Sequence, residues 1–133
     1  MAENKTAPGK TAKSKTELVH RYFDAYRTRE RAVVENGMTE DFRFTSPYDD
    51  AIDKATYFER CWPNCEAMKQ LDIERVFEQG EQAFITYLFT GTSGKQFRNT
   101  EFWTFAGDRI RKVHVYFGET YQNGKFVKQQ LPA

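Results

Sequence analysis

Between Ala83 and Phe117 the chain alternates along three stretches and turns between them. Ala83-Phe-Ile-Thr-Tyr-Leu-Phe-Thr90 leads into Gly-Thr-Ser-Gly, Gln96-Phe-Arg-Asn-Thr-Glu-Phe-Trp-Thr-Phe105 leads into Ala-Gly-Asp, and Arg109-Ile-Arg-Lys-Val-His-Val-Tyr-Phe117 follows. Aromatic and β-branched residues interrupted by short Gly-bearing breaks predict antiparallel strands joined by tight turns. Side chains of a strand alternate between faces, so Phe97, Asn99, Glu101, Trp103 and Phe105 share one face of the middle strand. That row is largely apolar and it contains a carboxylate. Glu101 is therefore either part of a pocket or the partner of a nearby cation such as Arg43.

Upstream, Lys15 to Arg29 predicts an amphipathic helix, with Leu18, Val19, Tyr22, Phe23 and Tyr26 on one face and His20, Asp24 and Arg27 on the other. Glu30 to Asn36 predicts a second short helix, ended by Gly37 in the C′ position. Asp41 to Ser46 alternates as a strand that carries Phe42, Phe44 and Ser46 on one side, and Pro47 ends it. Tyr48 to Ile52 reads as a loop. Asp53 is placed to cap a third helix from Lys54 to about Met68, with Tyr57, Phe58, Cys61 and Trp62 as its apolar stripe and Pro63 as a kink or restart. Lys69 to Glu78 is a further strand, with Leu71, Ile73 and Phe77 on one face, and Gly80 turns into the meander.

Helices come first and an antiparallel sheet follows. The expected fold is α+β: a cone-shaped, curved, mostly antiparallel sheet with the N-terminal helices packed on its concave face. The expected division is a disordered leader over 1–14, one domain over 15–122 and a polar C-terminal tail over 123–133. The tail is either loose or an edge segment.

The 133 residues suffice for one domain with a real core. A net charge of +1 argues against a nucleic-acid or anionic-membrane partner. No stretch approaches the roughly 20 apolar residues of a spanning helix. The Lys/Thr/Ala-rich N-terminus has no apolar core of a secretory signal. Cys61 and Cys65, with only two histidines in the chain, do not compose a zinc site. They read as small buried hydrophobes of a cytoplasmic protein, and neither a metal nor another cofactor is expected. Aromatic residues make up 16% of the chain, including twelve Phe and seven Tyr. That surplus of rigid rings suits a cavity for a small apolar or aromatic ligand, or else an unusually aromatic core or dimer interface.

Three inward positions carry chemistry: Glu101, Ser46 and Tyr22. A carboxyl walled by Trp103 and Phe105 is desolvated, which favours its neutral form. Beside a phenol it forms a pair of donors for a carbonyl oxygen or a developing oxyanion. Tyr26, Phe44, Ser46, Tyr57, Val115 and Phe117 are expected to line the ligand site; Trp103 lines it or fills the core, and Trp62 is at its rim or packs in the core. Asp49 and Asp50, at the mouth, read as solvated loop and turn residues.

These residues carry a resemblance to the nuclear transport factor two-like superfamily, in particular its bacterial SnoaL-like members, over Lys15 to about Tyr121. The carriers are Val19-His-Arg-Tyr-Phe-Asp-Ala-Tyr26, Asp41-Phe-Arg-Phe-Thr-Ser-Pro47 and Val113-His-Val-Tyr-Phe-Gly-Glu119. The layout is similar to ketosteroid isomerase. The resemblance places Tyr22 at that family's oxyanion tyrosine, Glu101 at its protonated aspartate and Ser46 at its general-base aspartate. It implies a cofactor-free isomerase, cyclase or hydratase-type step with Asp49 or Asp50 as base. Serine at position 46 favours the alternative, a non-catalytic ligand-binding or dimerisation module; a nuclear transport adaptor shares only the fold. SnoaL-like cyclases use an inward His/Asp pair, whereas His114 shares the outer face with Tyr116, and His20 lies on the polar side of the first helix. Phe102, Ile110 and Tyr116 on the outer sheet face predict a homodimer.

Overall fold

The computed structural model describes residues 14–129. The expected leader, apart from Ser14, and residues 130–133 of the tail lie outside the described residues. Helix α1 (Lys15–Arg27) begins at a capping box: Ser14 accepts from the Glu17 amide, and the Glu17 side chain accepts from the Ser14 amide. Helix α2 (Arg31–Asn36), β1 (Met38–Ser46), β2 (Asp49–Asp53) and α3 (Lys54–Arg60) follow. A 3₁₀ helix over Trp62–Ala67 leads to β3 (Met68–Gln79), β4 (Gln82–Gly91), β5 (Lys95–Ala106), β6 (Arg109–Gln122) and β7 (Lys125–Val127).

The strands make one sheet in the order β2-β1-β6-β5-β4-β3, with β7 added to β6. Among the described residues, only β1 and β6 pair in parallel. The sheet is curved and unclosed, and the helices cover its inner face, as expected for the α+β cone. The core lies between them and is led by Phe42, Leu18, Ile85, Ile110, Val19 and Val34. The apolar face of α1 is buried through Leu18, Val19, Tyr22 and Phe23, while His20 and Asp24 are exposed.

Four expectations need correction. The segment after Pro47 is not a loop: Asp49–Asp53 is an edge strand folded back on β1. The third helix stops at Arg60, because Pro63 lacks the amide that an α-helix needs and restarts the chain as a 3₁₀ turn. Ile110 is not on the outer face; it is 2% exposed and in the core. The register slips between Thr104 and Phe105, where two residues of β6 are passed for one of β5, and this bulge resets the parity of β6. Phe77 does not share a face with Leu71. A register shift between Ile73 and Arg75 turns it outward, where it is 70% exposed.

Gly37 also has a different reason from the one expected. Its φ is −82°, not left-handed, so it does not close α2 as a C′ glycine. It is required by a close approach: a Cβ there would lie 2.6 Å from Cζ and 2.7 Å from the hydroxyl oxygen of Tyr22.

Candidate functional site

Register decides what surrounds Glu101. Antiparallel pairing sets Ile85 opposite Glu101 and Tyr87 opposite Asn99, all on the inner face, so Tyr87 is the diagonal neighbour of the carboxylate. The Tyr87 hydroxyl donates to Glu101 Oε2 at 2.6 Å, and Trp103 Nε1 donates to Oε1 at 2.8 Å. Asn99 Nδ2 donates in turn to the Tyr87 hydroxyl oxygen at 3.2 Å. Phe23 of α1 covers this group, stacked on Trp103 at 5.3 Å and tilted against Tyr87 at 5.2 Å. Arg43 is not the partner of Glu101; it donates to the Phe42 carbonyl.

Burial pushes the Glu101 carboxyl above the ordinary carboxylate range, and the hydrogen bonds from Tyr87 and Trp103 hold it back. Burial first, and then the Glu101 charge, push the Tyr87 phenol well up. The same two causes act in that order on Tyr26, with Cys61 and Cys65 adding to them. Tyr26 packs on Trp62 at 4.9 Å, and among the described residues its hydroxyl has no hydrogen-bond partner. Burial, followed by the Asp49 charge, pushes the Cys61 thiol up to about 11. Both cysteines are free thiols.

Tyr22 stands apart from Glu101. Its hydroxyl donates to the Asp108 carbonyl at 2.8 Å and faces a groove of about 310 Å³ on the helix side, where Arg21, Asn36 and Arg109 also sit. Its ring still touches the site through Trp103, 6.4 Å away. The two carboxylates at the mouth differ. Asp49 pairs with Arg60 at 2.7 Å and keeps 9% of its side chain exposed, whereas Asp50 is exposed. Ser46 Oγ accepts from the Tyr48 amide at 3.1 Å and so shapes the turn after β1.

Of the expected lining, Phe44, Tyr57, Trp103 and Val115 are buried in the core cluster, and Tyr26 and Trp62 pack against it. Phe117 is 50% exposed and meets the exposed Tyr48 ring at 5.5 Å, which places it on the rim. Among the described residues no cluster of His, Cys, Asp and Glu is gathered that could hold a metal ion. No helix among them is long and apolar enough to cross a membrane.

Residues 19–113 match the family of SnoaL-like domains, well over half of the chain. The chain belongs to that family. No curated protein matches it by sequence. A nuclear transport factor two-like protein of unknown function from Cytophaga hutchinsonii is 23% identical; the match covers 82% of this chain and 94% of that one, with a TM-score of 0.67. A proposed ketosteroid isomerase from Kribbella flavida is 19% identical over 88% of this chain and 89% of that one, with a TM-score of 0.65. A proposed polyketide cyclase from Sinorhizobium meliloti is 17% identical over 75% and 94%, with a TM-score of 0.62. At such identities the likeness is one of fold.

The histidines of this SnoaL-like domain stay outside the interior. His20 is exposed, and His114 lies flat on Tyr116 at 4.5 Å on the outer sheet face. Tyr87 is the residue that sequence reasoning missed. Its signal was the tight Gly91-Thr-Ser-Gly94 turn, which sets the β4–β5 register and with it the Tyr87–Asn99 pair.

Proposed function

We propose that this SnoaL-like domain binds a small, largely apolar ligand inside the cone, and that Glu101 exchanges a proton with it. The observation that carries this reading is the Glu101 carboxyl, walled by aromatic rings, raised in proton affinity and held by two donors, with the unpartnered Tyr26 hydroxyl close by. Such a carboxyl is poised nearer to neutrality than a solvated one, where proton transfer is most effective. Tyr26 and Tyr87, not Tyr22, are the phenols of the site. Asp49, shielded and paired with Arg60, is the second carboxylate of a cofactor-free isomerase or cyclase-type step. The free thiols fit a cytoplasmic setting.

Titration of neutral phenols, followed by the fluorescence of Trp62 and Trp103, tests binding. Wild type is expected to bind, and Glu101→Gln to bind about tenfold more weakly, the equivalent of one polar interaction of about 1.4 kcal/mol. An unchanged affinity takes Glu101 out of the site. Cyclic ketones incubated with the protein in D₂O should exchange their α-protons. Binding without exchange favours the non-catalytic module, a reading already supported by the engagement of the Ser46 hydroxyl in its turn.

The outer sheet face is the proposed homodimer surface. Phe84 and Phe102 lie 4.7 Å apart there, and Phe84 and Tyr116 are 48% and 49% exposed. Phe84→Glu should convert the dimer to a monomer in sedimentation velocity; a wild-type protein that sediments as a monomer removes the proposal.

A further inference from the structure

The hydrogen bonds beside Glu101 run in one direction. Asn99 Nδ2 donates to Tyr87, and Tyr87 donates to Glu101 Oε2. Each step dictates the next. A carboxylate only accepts, so the Tyr87 proton points at Glu101. The Tyr87 oxygen then has a lone pair to offer, and an amide N–H of Asn99 fills it. This fixes the Asn99 amide with Oδ1 turned away from the chain of bonds. Asn99 is only 7% exposed, yet among the described residues nothing donates to Oδ1. Oδ1 is not sealed in the core as an unsatisfied atom, so it is open to accept from whatever reaches the site. Asn99 is next to Glu101 on the inner row of β5 and pairs with Phe117, which is half exposed.

We propose that Asn99 reads the polar group of the ligand, and that the proton on Glu101 sets which end of the Asn99 amide is presented. This rests on the ligand-binding reading above. With Glu101 charged, Oδ1 accepts from a ligand O–H, as in a phenol, enol or alcohol. When Glu101 takes a proton from solvent at Oε2, its O–H donates to the Tyr87 oxygen. The Tyr87 proton then swings to Asn99, whose amide turns over to accept it through Oδ1. Nδ2 now faces the ligand and donates to a ketone or phenolate oxygen. One proton is gained and no covalent bond between heavy atoms changes. Trp103 Nε1 donates to Oε1 in both states, so the carboxyl group keeps its orientation. The groups facing Glu101 are Tyr87 from β4, Asn99 and Trp103 from β5, Tyr26 from α1 and Cys61 beyond α3, with the Asp49–Arg60 pair behind Cys61. Burial pushes both phenols and the thiol upward, so none of these three ionises alongside Glu101.

The test follows the Glu101 carboxyl carbon and the Asn99 side-chain amide by NMR across a pH series on the full chain, together with titrations of phenol and cyclohexanone. The Asn99 amide should shift with the Glu101 midpoint. Phenol should bind about tenfold more tightly above that midpoint than below it, and cyclohexanone about tenfold more tightly below it. In Glu101→Gln the side-chain amide donates permanently to Tyr87, so both profiles should flatten with the ketone preferred. Tyr87→Phe, which keeps the ring and breaks the chain of bonds, should flatten them without that preference. An Asn99 amide indifferent to Glu101 ionisation overturns the proposal even if ligands bind. So do two ligands whose affinities move in the same direction. An amide that titrates with Glu101 while neither ligand binds supports the hydrogen-bond reversal and defeats the ligand-binding reading.

Discussion

Trp103→Ala should lower the unfolding free energy by about 3–5 kcal/mol, the range for deleting a large buried ring. Domains of this kind are stable by only about 5–15 kcal/mol, so the variant sits near its folding threshold. Trp103 is 5% exposed and its ring meets Phe23, Tyr22 and Phe105. Its loss therefore opens a cavity between α1 and the sheet. It also removes the donor to Glu101 Oε1. Trp103→Phe keeps a ring but loses the N–H together with part of the indole, and the pH dependence of its deficit separates the two effects. A hydrogen bond to a charged group contributes about 1.5–3 kcal/mol, and its loss here depends on pH. Burial raises the folded-state pKa of Glu101, so the folded protein holds that proton more tightly than the unfolded chain does. The contribution is fully present below the unfolded pKa and is lost as pH rises through the folded one. The Trp103 N–H opposes that loss by stabilising the carboxylate. Without it the folded pKa rises further, and the Trp103→Phe deficit should be small in acid and grow towards neutral pH. Urea denaturation at a series of pH values measures this. A deficit that does not vary with pH would assign the whole effect to the ring.

The row containing Glu101 was legible in the sequence because alternation along β5 is unbroken on its inner face and both flanking turns carry glycine. Phe97, Asn99, Glu101, Trp103 and Phe105 did fall on one face. What parity could not show was a bulge. One extra residue in β6 brought Ile110 inward, and one in β3 sent Phe77 outward, and neither leaves a mark in residue type. Strand β2 was missed for another reason: Asp49-Asp-Ala-Ile-Asp53 is short and polar, as an edge strand is free to be. The site followed the same division. The acid was visible, since a carboxylate in an aromatic row is conspicuous. Its phenol was not, since choosing Tyr87 over Tyr22 needs the β4–β5 register and the Tyr22 bond to Asp108. Helical spacing alone places Tyr22 on the buried face of α1 and cannot say which way its hydroxyl points.

That buried tyrosine makes Gly37 the second sensitive position. Gly37→Ala should cost about 1–3 kcal/mol through overpacking, with Gly37→Val worse. The added Cβ lands on the Tyr22 ring, and neither side is free to yield. The ring is 6% exposed and tied by its hydroxyl to the Asp108 carbonyl. The backbone of Gly37 is tied by its carbonyl, which accepts from the Ile110 amide at 2.7 Å, at the point where β6 enters the core. If the clash is the cause, the cost is shared between the two positions and does not add. Tyr22→Ala alone should lose stability by leaving a cavity, but on that background Gly37→Ala should become nearly neutral, because the atoms it strikes are gone. Thermal unfolding of the two single variants and the double variant decides the point. Full additivity would place the need for glycine in the backbone rather than in the Tyr22 contact, which its ordinary φ of −82° argues against.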